Sequence, residues 1–482
     1  MDKIIDDSAL DLSRKIAERD ITPPQVLEFY IDRIRSINPT INAVVVELFE
    51  EARRRARRQY ETLDDRHTLP VFYGVPITIK EMISVEGQPI TCGSVYRSGA
   101  ESTSDAEVVR EVKQCGANPF GLTNVPELGL WIESTNPVYG TTNNPHDLDR
   151  TAGGSSGGEA AIIASGGSPM GIGSDLGGSI RIPSSFCGIY GHKPSTSTVR
   201  TKGHFPQEYS ESRMDFVPST NLISIGPMTR RSVDLLPLLN CLRSRPQSRE
   251  KTPAYASDIV DFSDVTAHLL PAPDISYTSA ANGRIQASVE QAGQILQDHG
   301  ASVKSFPEDF FQQAPLLYMS YLKSQGLPSV GRLAGSGDHV EITGEFARKL
   351  VSRSRHTMPM LTMCLLDTLF SPSQRAIDKA VYKTNELRDE LSSHLSPENL
   401  LIMPVYPTEA PQHGRTLLSP FDLMYSAIFN ILDFPVTTAP ILYNNDDAPV
   451  GVQIVAPMDK DEVGIAAAMA CEESLGSPRR AS

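Results

Sequence analysis

Short β-branched runs alternate with amphipathic stretches at both ends of the chain, and this alternation restricts the available folds more than any other feature. Thr22 followed by Pro23 reads as an N-cap and first helical residue, after which Val26, Tyr30, Ile34 and Ile37 recur at helical spacing until Pro39 stops the run. Residues 41–48, INAVVVEL, are short and β-branched. Residues 49–63 return to a helical, charge-rich pattern before VFYGVPITIK at 71–80 supplies another apolar run. Late in the chain NLLIMPVYP, FPVTTAPIL and PVGVQIVAP read as buried strands, and residues 459–475 read as a closing helix. Strands alternating with helices predict a mostly parallel sheet, and the similarity of the two ends predicts that they share it. The expected fold class is therefore α/β: one α/β/α domain over residues 1–482 with a large twisted mixed sheet. The least constrained part is the middle, about 245–395, where 245–275 is polar and contains Pro and Ser and GSGDH at 335–339 reads as a loop. The Met- and Leu-rich stretch 356–371 reads first as core packing, with an apolar channel or membrane contact as the alternative.

A net charge of −14 argues against a nucleic-acid partner, because such proteins concentrate positive charge to displace counterions from phosphates. The local basic run Arg53, Arg54, Arg55, Arg57 and Arg58 is flanked by Glu50, Glu51 and Glu61 and reads as a solvated helix face. Cys92, Cys115, Cys187, Cys241, Cys364 and Cys471 show no CxxC spacing, so neither a disulfide framework nor a zinc site is expected. No signal peptide opens the sequence, and no stretch approaches the roughly 18 apolar residues of a membrane span. A cytoplasmic protein without metal or cofactor is the resulting expectation.

The densest chemical signal lies in TAGGSSGGEAAIIASGGSPMGIGSDLGGSIRIPSSFCGIYGHKP, residues 151–194. Gly177 and Gly178 ahead of Ser179 can turn consecutive N–H groups toward one point, which an oxyanion hole requires. Ser156-Gly157-Gly158-Glu159 matches a capping box before the apolar EAAIIA helix, and Ser155 one residue outside keeps its hydroxyl for other work. Gly153-Gly154-Ser155-Ser156-Gly157 also satisfies the G-x-S-x-G nucleophile elbow, but the polar NNPHDLDRTA before it does not read as the required strand. A dinucleotide loop starting at Gly171 fails because its third glycine position, 176, is leucine. His146 and His192 adjoin the segment and read as ordinary polar loop residues.

GGSSGGEAA and SPMGIGSDLGGSIRIPSSFCGIYGHKPS closely resemble the amidase signature family. The resemblance continues through GVPITIKEMISVEG at 74–87, GLTNVPELG at 121–129, ISIGPMTR at 223–230 and APVGVQIVAP at 448–457, with the signature core at about 74–194. It implies an amidase signature fold and hydrolysis of carboxylic amides by a Ser-Ser-Lys set in which Lys80 is the base, Ser155 the bridging relay and Ser179 the nucleophile. It places the oxyanion-hole amides on Leu176, Gly177, Gly178 and Ser179, and gives Asp175, Arg181 and Ser156 supporting roles. A free lysine is neutral in only about 0.04% of molecules at pH 7, so Lys80 needs a depressed pKa, and its place at the end of an apolar run provides burial.

HKPSTSTVRTKGHFPQE, MPVYPTEAPQH and SPFDLMYSAIFNILDFPVTT look most like the fatty-acid amide hydrolase 2 branch. That implies a small-molecule amide substrate with a hydrophobic acyl or aryl group, with esters or carbamates as further substrates. Leu128, Leu130 and Trp131 are the expected pocket walls, and they suit an apolar group better than glutamine. The alternatives are the glutamine-hydrolysing subunit of a tRNA-dependent amidotransferase and a carbamate or urethane hydrolase. A homodimer and a peripheral membrane contact are compatible with this reading; a transmembrane segment is not.

Overall fold

The computed structural model describes residues 4–63, 69–196, 198–206, 222–243, 260–338, 340–351, 353–443, 448–478 and 481. Eleven strands form one sheet: β1 Val44–Glu47, β2 Pro76–Lys80, β3 Asn118–Thr123, β4 Met170–Asp175, β5 Tyr190–Lys193, β6 Ser224–Thr229, β7 Thr266–Leu269, β8 Ser302–Ser305, β9 Leu400–Pro404, β10 Val436–Tyr443 and β11 Pro449–Val455. Across the sheet they run in the order β1-β3-β2-β4-β6-β5-β10-β11-β9-β7-β8. Strand β2 is parallel to β3 and β4, and β7 is parallel to β8 and β9, while the other pairs are antiparallel. The sheet is thus mixed, not mostly parallel. Strands β10 and β11 show why: they are neighbours in sequence and in space, with too little chain between them for the crossover that parallel pairing needs.

Strand side chains alternate between two faces, and the core follows them. Leu400 and Ile402 join the large cluster that holds Ile77, Ile162, Leu296 and Ala467. Leu401 and Met403 point into a second cluster with Phe311, Leu317, Ile428 and Phe429. Helices Gly157–Ala164, Gly283–Asp298 and Asp461–Leu475 supply the first face, and Ala314–Ser324 and Met424–Ile431 the second, which gives the α/β/α layering. Both chain ends contribute strands to the one sheet and side chains to the first cluster, as their sequence pattern predicts.

The structure departs from several of these expectations and meets others. The helix capped by Thr22 runs through Pro39 to Ile41 and ends at Asn42, whose φ of 49° is left-handed. NNPHDLDRTA does hold a strand, Asp147–Thr151, but it pairs with Asn143–Asn144 in a separate two-stranded ribbon apart from the main sheet, and the strand is half-buried or exposed except at Thr151. His192 is a buried residue of β5 rather than a loop residue, held between Thr437 Oγ1 and Asp461 Oδ1 at 2.9 Å each. Cys115 and Cys241 form a disulfide across 126 residues of chain, a separation at which spacing carries no signal. Arg53 of the basic run pairs with Glu50 one turn away and with Glu28 on the neighbouring helix, at 2.7 Å each. The 356–371 stretch becomes the helix Met358–Leu369, which buries Met360, Leu361 and Cys364 and leaves Leu369 72% exposed. Residues 245–259 of the polar middle and residue 339 of the expected loop lie outside the described residues. Among the described residues, no helix is long and apolar enough to cross a membrane.

Candidate active site

Strands β2 and β4 run parallel and end side by side, and in such sheets the carboxyl ends of the strands are where chemistry gathers. Strand β2 is buried at all five positions, so Lys80 at its end is enclosed, with 0% exposure. Its Nζ lies 2.7 Å from Ser155 Oγ, 3.0 Å from Ser174 Oγ and 3.2 Å from the Ser174 carbonyl oxygen. Burial pushes the Lys80 amine down to about 7, against the opposing pull of Asp175, Glu159 and Cys92.

Ser155 is 3% exposed and follows a cis Gly154–Ser155 peptide. Ser156 stands at the N-cap of helix Gly157–Ala164 yet makes no capping bond. Its Oγ accepts from the Ser174 N–H at 3.3 Å and donates to the Ser174 carbonyl at 3.2 Å, so it ties the helix start to the end of β4. Glu159 does not close a capping box either, because its carboxylate accepts from the Thr78 hydroxyl at 2.7 Å and the Thr123 hydroxyl at 2.9 Å. The expected box is absent because both of its side chains find partners in the sheet. Burial pushes the Glu159 carboxyl up to about 8, although those hydroxyls and Lys80 favour its charged form. Gly171 makes the arrangement fit, since a Cβ there would lie 1.9 Å from Glu159 Oε2.

Beyond Asp175 the chain turns through Leu176–Ile180 into the helix Arg181–Cys187. Asp175 accepts from the N–H groups of Gly178 and Ile180 at 2.8 and 3.0 Å and from Arg181 Nε and Nη2 at 3.0 and 2.8 Å. Burial alone would raise its carboxyl, but Arg181 and the loop amides outweigh it and hold Asp175 far below the usual carboxylate range. Arg181 also reaches the Ser426 carbonyl, Gln453 Oε1 and Asn430 Oδ1. The pair is therefore a buried brace for the loop.

Gly178, at φ +106° and one of the four amides expected to line an oxyanion hole, gives its N–H to Asp175. Among the described residues, the N–H groups of Leu176, Gly177 and Ser179 have no acceptor. The carbonyl of each of those three peptide units is itself held: Asp175 O by Asn430 Nδ2 at 3.0 Å, Leu176 O by the Tyr318 hydroxyl at 2.9 Å, and Gly178 O by the Ile182 N–H at 2.7 Å. A trans peptide sets N–H opposite C=O, so each bond fixes the direction of a free amide and polarises it. Ser179 is half-buried, and its carbonyl accepts from the Ser156 N–H at 3.1 Å. Its Oγ makes no hydrogen bond to another described residue, Ser155 included.

The expected pocket walls divide. Leu128 and Leu130 pack in an apolar cluster with Met82, Phe205, Met360 and Cys364, and a Cβ on the adjacent Gly129 would lie 3.6 Å from Ser155 Oγ. Trp131 belongs to another cluster with Ile182, Phe186, Val405 and Tyr406, and its Nε1 donates to Thr416 Oγ1 at 2.8 Å. Ser174, His204, Tyr318 and Asn430 escape the sequence reading. Only Ser174 carries a usable signal, lying next to Asp175 at the end of the apolar run MGIG. Among the described residues, no group of three or more His, Cys, Asp and Glu side chains could hold a metal ion.

The amidase family model matches residues 25–463. Fatty-acid amide hydrolase 2-A of Danio rerio is 34% identical and fatty-acid amide hydrolase 2 of Homo sapiens 32% identical, the alignments covering 98% and 97% of this chain and 89% of each relative. The fold is shared with a solved 6-aminohexanoate cyclic dimer hydrolase in complex with its substrate, at a TM-score of 0.80 and 23% identity over 99% of this chain and 100% of the other. With a match over most of its length and near full-length relatives above 30% identity, the chain belongs to the amidase signature family of amide hydrolases.

Proposed function

We propose that this chain hydrolyses amides of hydrophobic acyl or aryl acids through an acyl-enzyme on Ser179, with Ser155 as relay and Lys80 as base. The observation that carries the reading is a fully buried lysine, lowered to about 7, within 2.7 Å of a serine hydroxyl. Neutral Lys80 takes the Ser155 proton while Ser155 takes that of Ser179, whose oxygen attacks the carbonyl carbon. The oxyanion forms against the free amides of Leu176, Gly177 and Ser179. Lys80 then returns its proton through Ser155 to the leaving nitrogen, and water releases the acyl group. A Ser179 hydroxyl that is half-buried and unengaged suits a nucleophile that meets its partner only when substrate arrives.

The apolar cluster around Leu128 and Met82, beside Ser155, favours an apolar substrate group, and the names of the fatty-acid amide hydrolase 2 relatives agree with that class. The single-domain reading has the support of an eleven-stranded sheet and a large core cluster that both draw on the two chain ends. The test is a panel of long-chain amides, short and aryl amides, glutamine and carbamates, with intact mass after a fluorophosphonate probe. Long-chain or aryl amides should turn over fastest, and Ser179→Ala should lose both turnover and the adduct. An adduct persisting in Ser179→Ala, or glutamine as the best substrate, would overturn the assignment.

A further inference from the structure

One buried titratable side chain outside this set reaches Lys80 through a single intermediary. His204, 3% exposed, has its Nε2 2.8 Å from Ser174 Oγ, the same oxygen that lies 3.0 Å from Lys80 Nζ. Its backbone is fixed alongside the turn that follows Lys80: residue 204 bridges to Ile83, the Phe205 N–H donates to the Met82 carbonyl at 2.9 Å, and the Ser84 N–H donates to the Gly203 carbonyl at 2.9 Å.

The contact matters because of how the protons around Lys80 can be shared. A neutral lysine amine has two N–H groups and one lone pair. Its neighbours are Ser155 Oγ, Ser174 Oγ and the Ser174 carbonyl, and the carbonyl can only accept. If the second N–H goes to Ser174 Oγ, the lone pair is left for the Ser155 proton, which is the arrangement a base needs. That requires the Ser174 proton to point away from Lys80. Among the described residues, the only other group in hydrogen-bonding distance of Ser174 Oγ is His204 Nε2. Without an acceptor there, the Ser174 proton would turn to the lysine lone pair and compete with Ser155.

We propose that His204 is a positioning residue whose neutral imidazole accepts the Ser174 hydroxyl proton at Nε2, making Ser174 an acceptor for Lys80 and reserving the lysine lone pair for Ser155. The inference rests on the Lys80 base reading above. The charged or titratable groups that act on Lys80 are Asp175, already paired to Arg181, together with Glu159 and Cys92, and Lys80 is in turn the charge that acts on His204. Burial first, and then the Lys80 charge, hold His204 down to about 3 against a backbone hydrogen bond at Phe205. The ring therefore stays neutral at any pH where the lysine works, and its Nε2 accepts in the tautomer that carries the ring proton on Nδ1.

The experiment compares His204→Leu and His204→Phe, which remove the acceptor with different shapes, with His204→Gln, whose amide oxygen can replace Nε2. Amide kcat and KM are measured against pH alongside the thermal midpoint. Both apolar variants should lose about tenfold in kcat, the scale of one hydrogen bond, with KM little changed, and the acid limb of their profile should move to lower pH. The limb moves because protonated Lys80 uses every acceptor around it and leaves the Ser174 proton no partner. His204→Gln should retain kcat within about threefold. Equal losses in all three variants, a loss confined to KM, or a folded His204→Gln as impaired as His204→Leu would overturn the proposal while leaving the Ser-Ser-Lys reading intact. Activity surviving in Lys80→Ala would instead overturn both. If neither apolar variant folds, the glutamine variant alone decides, since a loss of about a hundredfold in a folded protein would exclude an acceptor role.

Discussion

At the residue scale, the central contrast is between two groups that burial affects in opposite senses. Enclosure lowers Lys80 to about 7 and raises Glu159 to about 8, so each is moved toward its neutral form near physiological pH. For a base that must be neutral, kcat/KM should rise with pH through about 7 and then level, and be lost as the pH falls because the amine regains its proton. Lys80→Ala should flatten that rise, and a variant that kept the wild-type limb would show that another group titrates. The roles proposed for Ser155 as relay and Ser179 as nucleophile are separable in the same way. Ser155→Ala should still be labelled at Ser179 by a fluorophosphonate, because the free amides remain, but should lose about 10²–10⁴ in amide turnover. The loss should be smaller for a matched ester, since an alkoxide leaves more readily without a proton than an amine does. Equal losses on amide and ester would remove Ser155 from leaving-group protonation.

At the element scale, the loop Leu176–Ile180 is shaped by partners outside itself. The Tyr318 hydroxyl, on the helix Ala314–Ser324, holds the Leu176 carbonyl and so directs the Gly177 amide. Tyr318 also packs against that glycine, where a Cβ would come within 2.9 Å of its hydroxyl oxygen. Tyr318→Phe keeps the ring and removes only the donor. It should lower kcat by about tenfold with KM almost unchanged, a smaller effect than the 10²–10³ expected for losing an oxyanion donor outright. Burst-phase acylation kinetics would check this, and an unchanged acylation rate would show that the Gly177 amide needs no external support. Strand β2 carries Lys80 to the sheet end on a fully buried, largely apolar run, in which the one polar side chain before the lysine, Thr78, donates to Glu159.

At the scale of the whole molecule, Arg181 joins the loop to distant parts of the chain. It connects Asp175 to Ser426 and Asn430 on one helix and to Gln453 on β11, all in the buried interior. Arg181→Ala would leave Asp175 as an uncompensated buried charge and should cost about 3–5 kcal/mol in urea unfolding at neutral pH. Because the pair holds Asp175 below its ordinary value of 3.8, this stability is complete above that value and is lost as the pH falls further into the acid range. A cost under about 1 kcal/mol, the range of surface pairs, would mean that the pair is not sealed from water.

The sequence by itself determined what local rules can encode. Short β-branched and apolar runs located β1, β2, β9, β10 and β11, and helical spacing the closing helix, because each element's burial is written in its own side chains. The motif positions of Lys80, Ser155 and Ser179 were legible through a family resemblance, and the burial of Lys80 through the apolar run that it ends. Tertiary structure decided the rest. The capping box at Ser156 gave way to bonds with Ser174, Thr78 and Thr123, the Gly178 amide went to Asp175, and Trp131 parted from Leu128. Cys115 met Cys241, and His204 reached Ser174, across stretches of chain that carry no periodic signal. The physical reason is common to all of these. A hydroxyl, an amide or a carboxylate takes whichever partner the packed interior brings within about 3 Å, and for a buried group that choice is made by the fold and not by its neighbours in the chain.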